Sequence, residues 1–286
     1  MIDNIILGAV CGDIAGSIYE WHNLKYENFK QRPEVLIEDK CRFTDDTVMT
    51  CAVAVGLMNG LKQIPRCWIG INDYEEILFQ EVQEALRFWG NKYIDAGYGR
   101  SFVKWLKSDT PTPYGSWGNG SAMRASFAGW FAESLEEAEK LGEISASVTH
   151  NHINGINGAK VISGCIYLLL QGKGKTEIEE YAKKFYDLNF SLDKIRASYT
   201  FDVSCQGSVP QAIKAFLEAE SFSDAIATAI SIGGDSDTIA AITGSIAEGY
   251  YPIDEQLKQK VIAKIPIDIL EFLTLATEYV SERKSR

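Results

Sequence analysis

A chain of 286 residues, 46% hydrophobic and 23% charged, has enough apolar surface for a sizeable core and reads as soluble and globular. The formal net charge of −11 argues against a general nucleic-acid or anionic-membrane surface, so an anionic ligand has to be met locally, by a metal, by helix N-termini or by a few Arg and Lys. Six cysteines, at 11, 41, 51, 67, 165 and 205, show no CxxC spacing and read as buried free thiols of a reducing, cytoplasmic compartment.

In chain order, Ile2 to Ser17 reads as a first helix in which Gly8, Gly12 and Gly16 recur every four residues. Glycine costs about 1 kcal/mol in a helix interior, so such a strip needs a packing reason: close approach of another backbone. Asp13 on this apolar helix reads as a hydrogen-bonded core carboxylate holding a neighbouring loop. Glu20 lies just past the helix. The opening residues lack the basic region and longer apolar core of a signal peptide. The best strand candidate is Glu34 to Ile37, and it is short.

Thr44-Asp45-Asp46-Thr47 then opens a small-residue helix. Leu78, Val82, Ala85, Leu86 and Trp89 define one helix face. Between Tyr98 and Arg124 the chain turns to Pro and Gly, with Gly118, Asn119, Gly120 and Ser121 before a helix expected to resume near Ala122. A glycine-rich loop entering a helix start is a sound place for phosphate, and equally a plain turn. His150 and His152 form an HxH pair with no third histidine nearby and no cysteine at metal spacing, which makes zinc improbable and a polar contact or cap preferable. The longest apolar stretch, around Val161 to Leu170, reads as too short to span a bilayer. Helical periodicity resumes after Pro210 (Ala212, Ile213, Phe216, Leu217) and again over Leu270, Leu273, Ala276, Thr277 and Val280. Gly233-Gly234-Asp235-Ser236-Asp237-Thr238 introduces a buried Ala/Ile/Gly helix. With no linker or repeat, the expectation is one compact all-α domain, residues 1–286, of about ten helices.

The acidic helix starts at Asp45 and Asp235 stand 190 positions apart. Asp, Ser and Thr are also the preferred N-caps, so each alone is readable as a cap. Two carboxylates per cluster exceed what a cap needs. If the clusters converge, a cation must offset their repulsion, and an oxygen-only donor set suits Mg²⁺, Mn²⁺ or Ca²⁺.

Four segments stand in one order: GDIAGSIYEW, FTDDT, GNGSAMR with THNH behind it, and GGDSDT. From about Gly8 to Tyr251 this ordered set resembles the ADP-ribosylglycohydrolase family. The resemblance implies an orthogonal all-α bundle around a binuclear site with two Mg²⁺ (or Mn²⁺), cleaving the ribosyl C1″ bond that links ADP-ribose to a protein side chain or a small conjugate. It makes Thr44, Asp45, Asp46, Asp235, Asp237 and Thr238 metal ligands. Glu20 matches an acidic residue that binds a metal or activates water, and Asp45, Asp46 and Asp237 join it in the catalytic group. Gly118, Asn119, Gly120, Ser121, Met123 and Arg124 match the segment lining the ADP-ribose cleft, and His150 a position that contacts phosphate or ribose. The acceptor and the choice between monomer and dimer are not written in these motifs. Two other readings keep the same motifs: a non-catalytic ADP-ribose-binding or structural protein, and a binuclear nucleotide phosphohydrolase.

Overall fold

The computed structural model describes residues 5–26, 32–33, 35–64 and 74–285. Over these the chain forms fourteen α-helices: α1 (Leu7–Gly16), α2 (Asp45–Gln63), α3 (Tyr74–Lys92), α4 (Arg100–Leu106), α5 (Ser126–Phe131), α6 (Leu135–Ser147), α7 (Ile153–Leu170), α8 (Lys175–Ala182), α9 (Leu192–Ile195), α10 (Cys205–Glu218), α11 (Phe222–Ser231), α12 (Ser236–Ala247), α13 (Glu255–Ile262) and α14 (Ile267–Lys284). Short 3₁₀ turns occupy Leu24–Tyr26 and Asn119–Ser121. No strand occurs among the described residues. Glu34 of the expected strand lies outside them, and Val35 to Ile37 are bends. The nearest thing to a sheet is one antiparallel bridge between Gly118 and Ser204.

The centre is α1 packed antiparallel on α12, and the glycine strip is the reason. A Cβ on Gly8 would stand 2.4 Å from the Gly244 carbonyl oxygen, one on Gly12 2.0 Å from that of Ala240, and one on Gly16 2.4 Å from Cα of Asp237. Backbone meets backbone along the whole contact, and every residue of α12 is buried. That contact fixes the start of α12, with its two aspartates, beside the end of α1.

The surrounding helices follow their apolar faces. On α3 the buried residues are Leu78, Val82, Ala85, Leu86, Trp89 and Gly90, packed on α2. On α14 Leu273, Ala276, Thr277 and Val280 are buried, whereas Leu270 sits half-exposed at the edge of the face. Burial of such faces stabilises the fold at about 25 cal/mol per Å² of apolar area.

Four expectations shift. The first helix begins at Leu7, not Ile2, because Ile6 takes a left-handed φ of 59° and breaks the helical path; Ile2 to Asn4 lie outside the described residues. α10 starts at Cys205, ahead of Pro210, because Ser204 Oγ accepts from Gly207 N at 3.0 Å and caps it. The helix after the glycine-rich loop begins at Ser126, so Arg124 precedes it. And α7, at 18 residues, is long and apolar enough to cross a bilayer by length and composition, whereas the stretch from Val161 to Leu170 alone is too short. In this fold α7 packs against α5 and α6, with Gly155, Gly158 and Gly164 buried. Cys11, Cys41, Cys51, Cys165 and Cys205 are all free and buried; Cys67 lies outside the described residues.

Candidate active site

The two acidic helix starts converge. Glu20, Asp45, Asp46, Asp235, Asp237 and Thr238 line one cleft of about 550 Å³, together with Gly118, Asn119, Gly120, Met123, Arg124 and His150. Two of the expected residues stand behind this wall. Thr44 is buried and donates to Asp13 Oδ1 at 2.6 Å, and Ser121 donates to the Gly155 carbonyl at 2.7 Å.

Capping does not account for the carboxylates. At the start of α2 the cap is the Thr44 hydroxyl, which accepts from Asp46 N at 3.4 Å and leaves both aspartates free of that role. At the start of α12, Asp235 occupies the cap position yet accepts no helix N–H with its side chain. Its Oδ2 instead accepts from Asn119 Nδ2 at 2.7 Å, tying the glycine-rich loop to the acidic loop. Thr238 Oγ1 donates to Asp46 Oδ2 at 3.1 Å, which joins the two helix starts directly. The other oxygen, Asp46 Oδ1, is buried without a hydrogen-bond partner. An unpartnered buried carboxylate oxygen is costly unless a cation meets it.

Asp13 plays the part expected of it. Its carboxylate accepts from the backbone N–H of Thr44 (2.8 Å) and Thr47 (3.1 Å) and from both their hydroxyls, so the end of α1 holds the start of α2. It also stands within 4.8 Å, oxygen to oxygen, of Asp46 and Asp237; a second such group is Glu20, Asp235 and Asp237. All these donors are hard oxygens, the set that Mg²⁺ and Mn²⁺ take, and the convergence of negative charge fits a cation.

The electrostatics carry the same message. Burial raises the Asp45 carboxyl to about 8, with Asp13 and Asp235 adding to it. Burial and then Asp235 raise Glu20 to about 7, against the Trp21 indole N–H and Arg42, which pull it down. Asp46 and Asp237 are pushed well above the usual carboxylate range, first by burial, then by neighbouring aspartates. Without a counter-ion this wall holds protons that ordinary carboxylates lose.

The opposite wall is neutral or positive. Arg124 is buried, and its Nη2 donates to Ser145 O (3.1 Å) and Thr149 Oγ1 (2.8 Å). Thr149 Oγ1 therefore accepts from the guanidinium, and it shares a hydrogen bond with His150 Nδ1 at 2.6 Å. The ring atom of His150 nearest Gly118 and Gly120 is Nε2. Burial, then Arg124, hold its imidazole well below the usual range, so it stays neutral. His152 faces elsewhere and caps α7, its Nδ1 accepting from Asn154 N at 3.2 Å.

Two stretches of the wall had no sequence expectation attached. Gly97 to Phe102 close over Asp45, whose N–H donates to Ala96 O at 3.0 Å. Phe201 and Val203 form part of the rim, where Phe201 stacks on Trp21 at 5.1 Å between ring centroids. The glycines of GYGR were the visible signal for the first; the second offered none beyond an aromatic in a polar loop.

Comparison with known proteins bears on the family and the fold. The sequence profile of ADP-ribosylglycohydrolase matches residues 2–282. The chain is 27% identical over 324 residues to ADP-ribosylhydrolase ARH3 of Homo sapiens, covering 87% of this chain and 85% of that protein. It is 27% identical over 176 residues to ADP-ribosylarginine hydrolase Tri1 of Pseudomonas putida, covering 55% of this chain and 44% of that one. A solved structure described as an ADP-ribosylglycohydrolase-related protein complex superposes with a TM-score of 0.69 at 18% identity, over 97% of this chain and 96% of that chain, which shows a shared fold.

Proposed function

The chain belongs to the ADP-ribosylglycohydrolase family, and from that premise we propose that its cleft hydrolyses the ribosyl C1″ bond between ADP-ribose and an acceptor, releasing ADP-ribose. The observation that carries the reading is the convergence of Glu20, Asp45, Asp46, Asp235 and Asp237 on one cleft whose other wall is the glycine-rich loop and a neutral His150.

Two Mg²⁺ or Mn²⁺ fit the carboxylates of Glu20, Asp45, Asp46, Asp235 and Asp237 and the Thr238 hydroxyl, whereas Thr44 stands behind them with its hydroxyl given to Asp13. Bound there, they would supply Lewis acidity and offset the carboxylate charge. The chain's own groups do the rest. In hydrolysis a bond forms between a water oxygen and C1″ while the bond from C1″ to the acceptor breaks; the water's proton goes to a base and the departing acceptor takes one up. Glu20, half-buried and lining the cleft beside Asp235 and Asp237, is the carboxyl placed to exchange that proton. As C1″ acquires positive character, the aspartate wall stabilises it. His150 Nε2 and the loop around Gly118 to Gly120 offer polar contacts to hydroxyls or phosphate, and the buried Arg124 contributes positive potential behind them. The exposed rims of Trp21, Tyr114 and Trp117 provide flat faces for the base or the acceptor.

The test is release of free ADP-ribose from arginine-linked, serine-linked and 1″-O-acetyl substrates, with Mg²⁺ and with EDTA, for the wild type and for Asp235→Ala and Asp237→Ala. Cation-dependent release lost in both variants supports the hydrolase and ranks its acceptors. AMP or phosphate as product means a phosphohydrolase, and binding of ADP-ribose without turnover means a binding protein.

A further inference from the structure

Glu20 and Asp235 are separated by 215 positions and sit on different loops, yet one side chain spans both. Asn23 is buried, 6% exposed. Its Nδ2 donates to Tyr19 O at 2.6 Å, to Glu20 O at 3.1 Å and to Gly234 O at 3.1 Å; its Oδ1 accepts from Gly234 N at 2.8 Å. The side-chain amide thus pairs with both backbone polar groups of Gly234, as a neighbouring strand would, while also holding the carbonyl of Glu20. The acidic loop is shaped to receive it. Gly233 and Gly234 both take left-handed φ, 73° and 79°, and a Cβ on Gly233 would stand 2.6 Å from Asn23 Oδ1.

We propose that Asn23 is a positioning residue: it sets Glu20 against Asp235 and Asp237, so that the three carboxylates assemble as one cation-binding group. The inference rests on the cation-dependent reading above. Asn23 touches neither substrate nor cation; it acts through the two backbones. Groups that orient ligating carboxylates are worth 10–100-fold in metal affinity or activity when removed. The Ser236 hydroxyl also reaches Tyr19 O and Gly234 O, each at a long 3.4 Å, but among the described residues only Asn23 bonds the Glu20 carbonyl. The nearby Lys25 ties the same segment to the carbonyls of Arg196 and Tyr199 instead.

The experiment is Mn²⁺ titration by electron paramagnetic resonance on the whole chain, for the wild type, Asn23→Ala and Thr243→Val. Thr243 is the control for a lost buried hydrogen bond: it lies on the same helix as Asp237, its hydroxyl donates to Ala212 O and Ile239 O, and it is no part of the cleft. The expected result is a 10–100-fold weaker Mn²⁺ affinity in Asn23→Ala, with Thr243→Val within twofold of wild type. Where release of ADP-ribose is measured, kcat at saturating Mn²⁺ falls in Asn23→Ala while KM for the substrate holds, because the phosphate-facing wall is untouched. If Asn23→Ala does not fold, Asn23→Ser takes the same measurement. Asn23→Ala binding Mn²⁺ as tightly as wild type, or Thr243→Val losing affinity equally, overturns the positioning role. Wild-type protein that binds no Mn²⁺ overturns the cation reading itself, and the inference with it.

Discussion

Gly12→Ala isolates what the α1–α12 contact does. The added Cβ would lie 2.0 Å from the Ala240 carbonyl oxygen and 2.3 Å from its carbon, whereas ordinary contact begins at 3.4 Å, so the two backbones must part by about 1.4 Å at that point. Neither partner is a side chain that can turn away. Overpacking of this kind costs about 1–3 kcal/mol, and rigid backbone on both sides places it at the upper end. Alanine recovers about 1 kcal/mol of helix propensity over glycine, which leaves a net loss of about 2 kcal/mol. At roughly 2–4 °C per kcal/mol for a chain of this size, the melting temperature falls by about 4–8 °C. Asp237 lies one turn from Ala240, so the shift reaches the cleft, where a displacement of about 1 Å is worth up to 10²-fold in rate. Differential scanning fluorimetry with EDTA and with Mn²⁺, and Mn²⁺ titration, read the two effects separately. Gly172→Ala is the comparison: its φ is +78° but nothing lies within 4 Å, so it should cost about 1 kcal/mol of backbone strain and leave the cleft alone. A Gly12→Ala protein that melts with the wild type and binds Mn²⁺ equally refutes the claim that the glycine strip sets the helix spacing.

Three further outcomes follow from the site. Because Glu20, Asp45, Asp46, Asp235 and Asp237 are all raised in the fold, the metal-free folded protein holds more protons than the unfolded chain; its stability is greatest in mild acid and falls as pH rises toward about 7 and about 8, where Glu20 and Asp45 titrate. Cation uptake must then expel protons, so calorimetric titration with Mn²⁺ in buffers of different ionisation enthalpy should show net release, and the gain in melting temperature should grow with pH; a pH-independent gain sinks this reading. His150 should show no imidazole titration by NMR near neutral pH, and Thr149→Val should shift its Nδ1 resonance by removing the hydrogen bond there. Asn119→Ala removes a donor to the Asp235 carboxylate and should weaken Mn²⁺ binding about 10-fold with little change in fold, checked by circular dichroism.

The helices and their faces were legible because period and burial coincide: the α3 residues chosen by spacing are buried, and the glycines at every fourth position of α1 do meet a second backbone. The acidic helix starts were legible as a type, since two carboxylates beside a hydroxyl exceed the demands of a cap. Their distinction from caps was not, because it depends on where each oxygen points: Asp235 toward Asn119, Asp46 Oδ1 toward no partner at all. Asn23 gave no signal in sequence, since two of its four hydrogen bonds reach a backbone 211 residues away. The break at Ile6 was equally hidden, because isoleucine rarely takes a left-handed φ and only burial against the whole fold can hold it there. Arg124 and Ser121 were placed near the site by the motif, but their hydrogen bonds run to Ser145 O, Thr149 and Gly155 O, partners that only tertiary structure supplies.

Four of the five described thiols give the fold a built-in clock. Burial lifts the Cys11, Cys51, Cys165 and Cys205 thiols far out of the range in which thiolate forms, so alkylating reagents cannot reach them without local opening. They sit on α1, α2, α7 and α10, and Cys205 Sγ lies 3.1 Å from the Gly118 carbonyl, directly behind the glycine-rich loop. In a Cys67→Ser background, the order in which these sulfurs become modified under native conditions would time the breathing of each wall of the cleft, and a bound ADP-ribose should slow Cys205 before it slows Cys165.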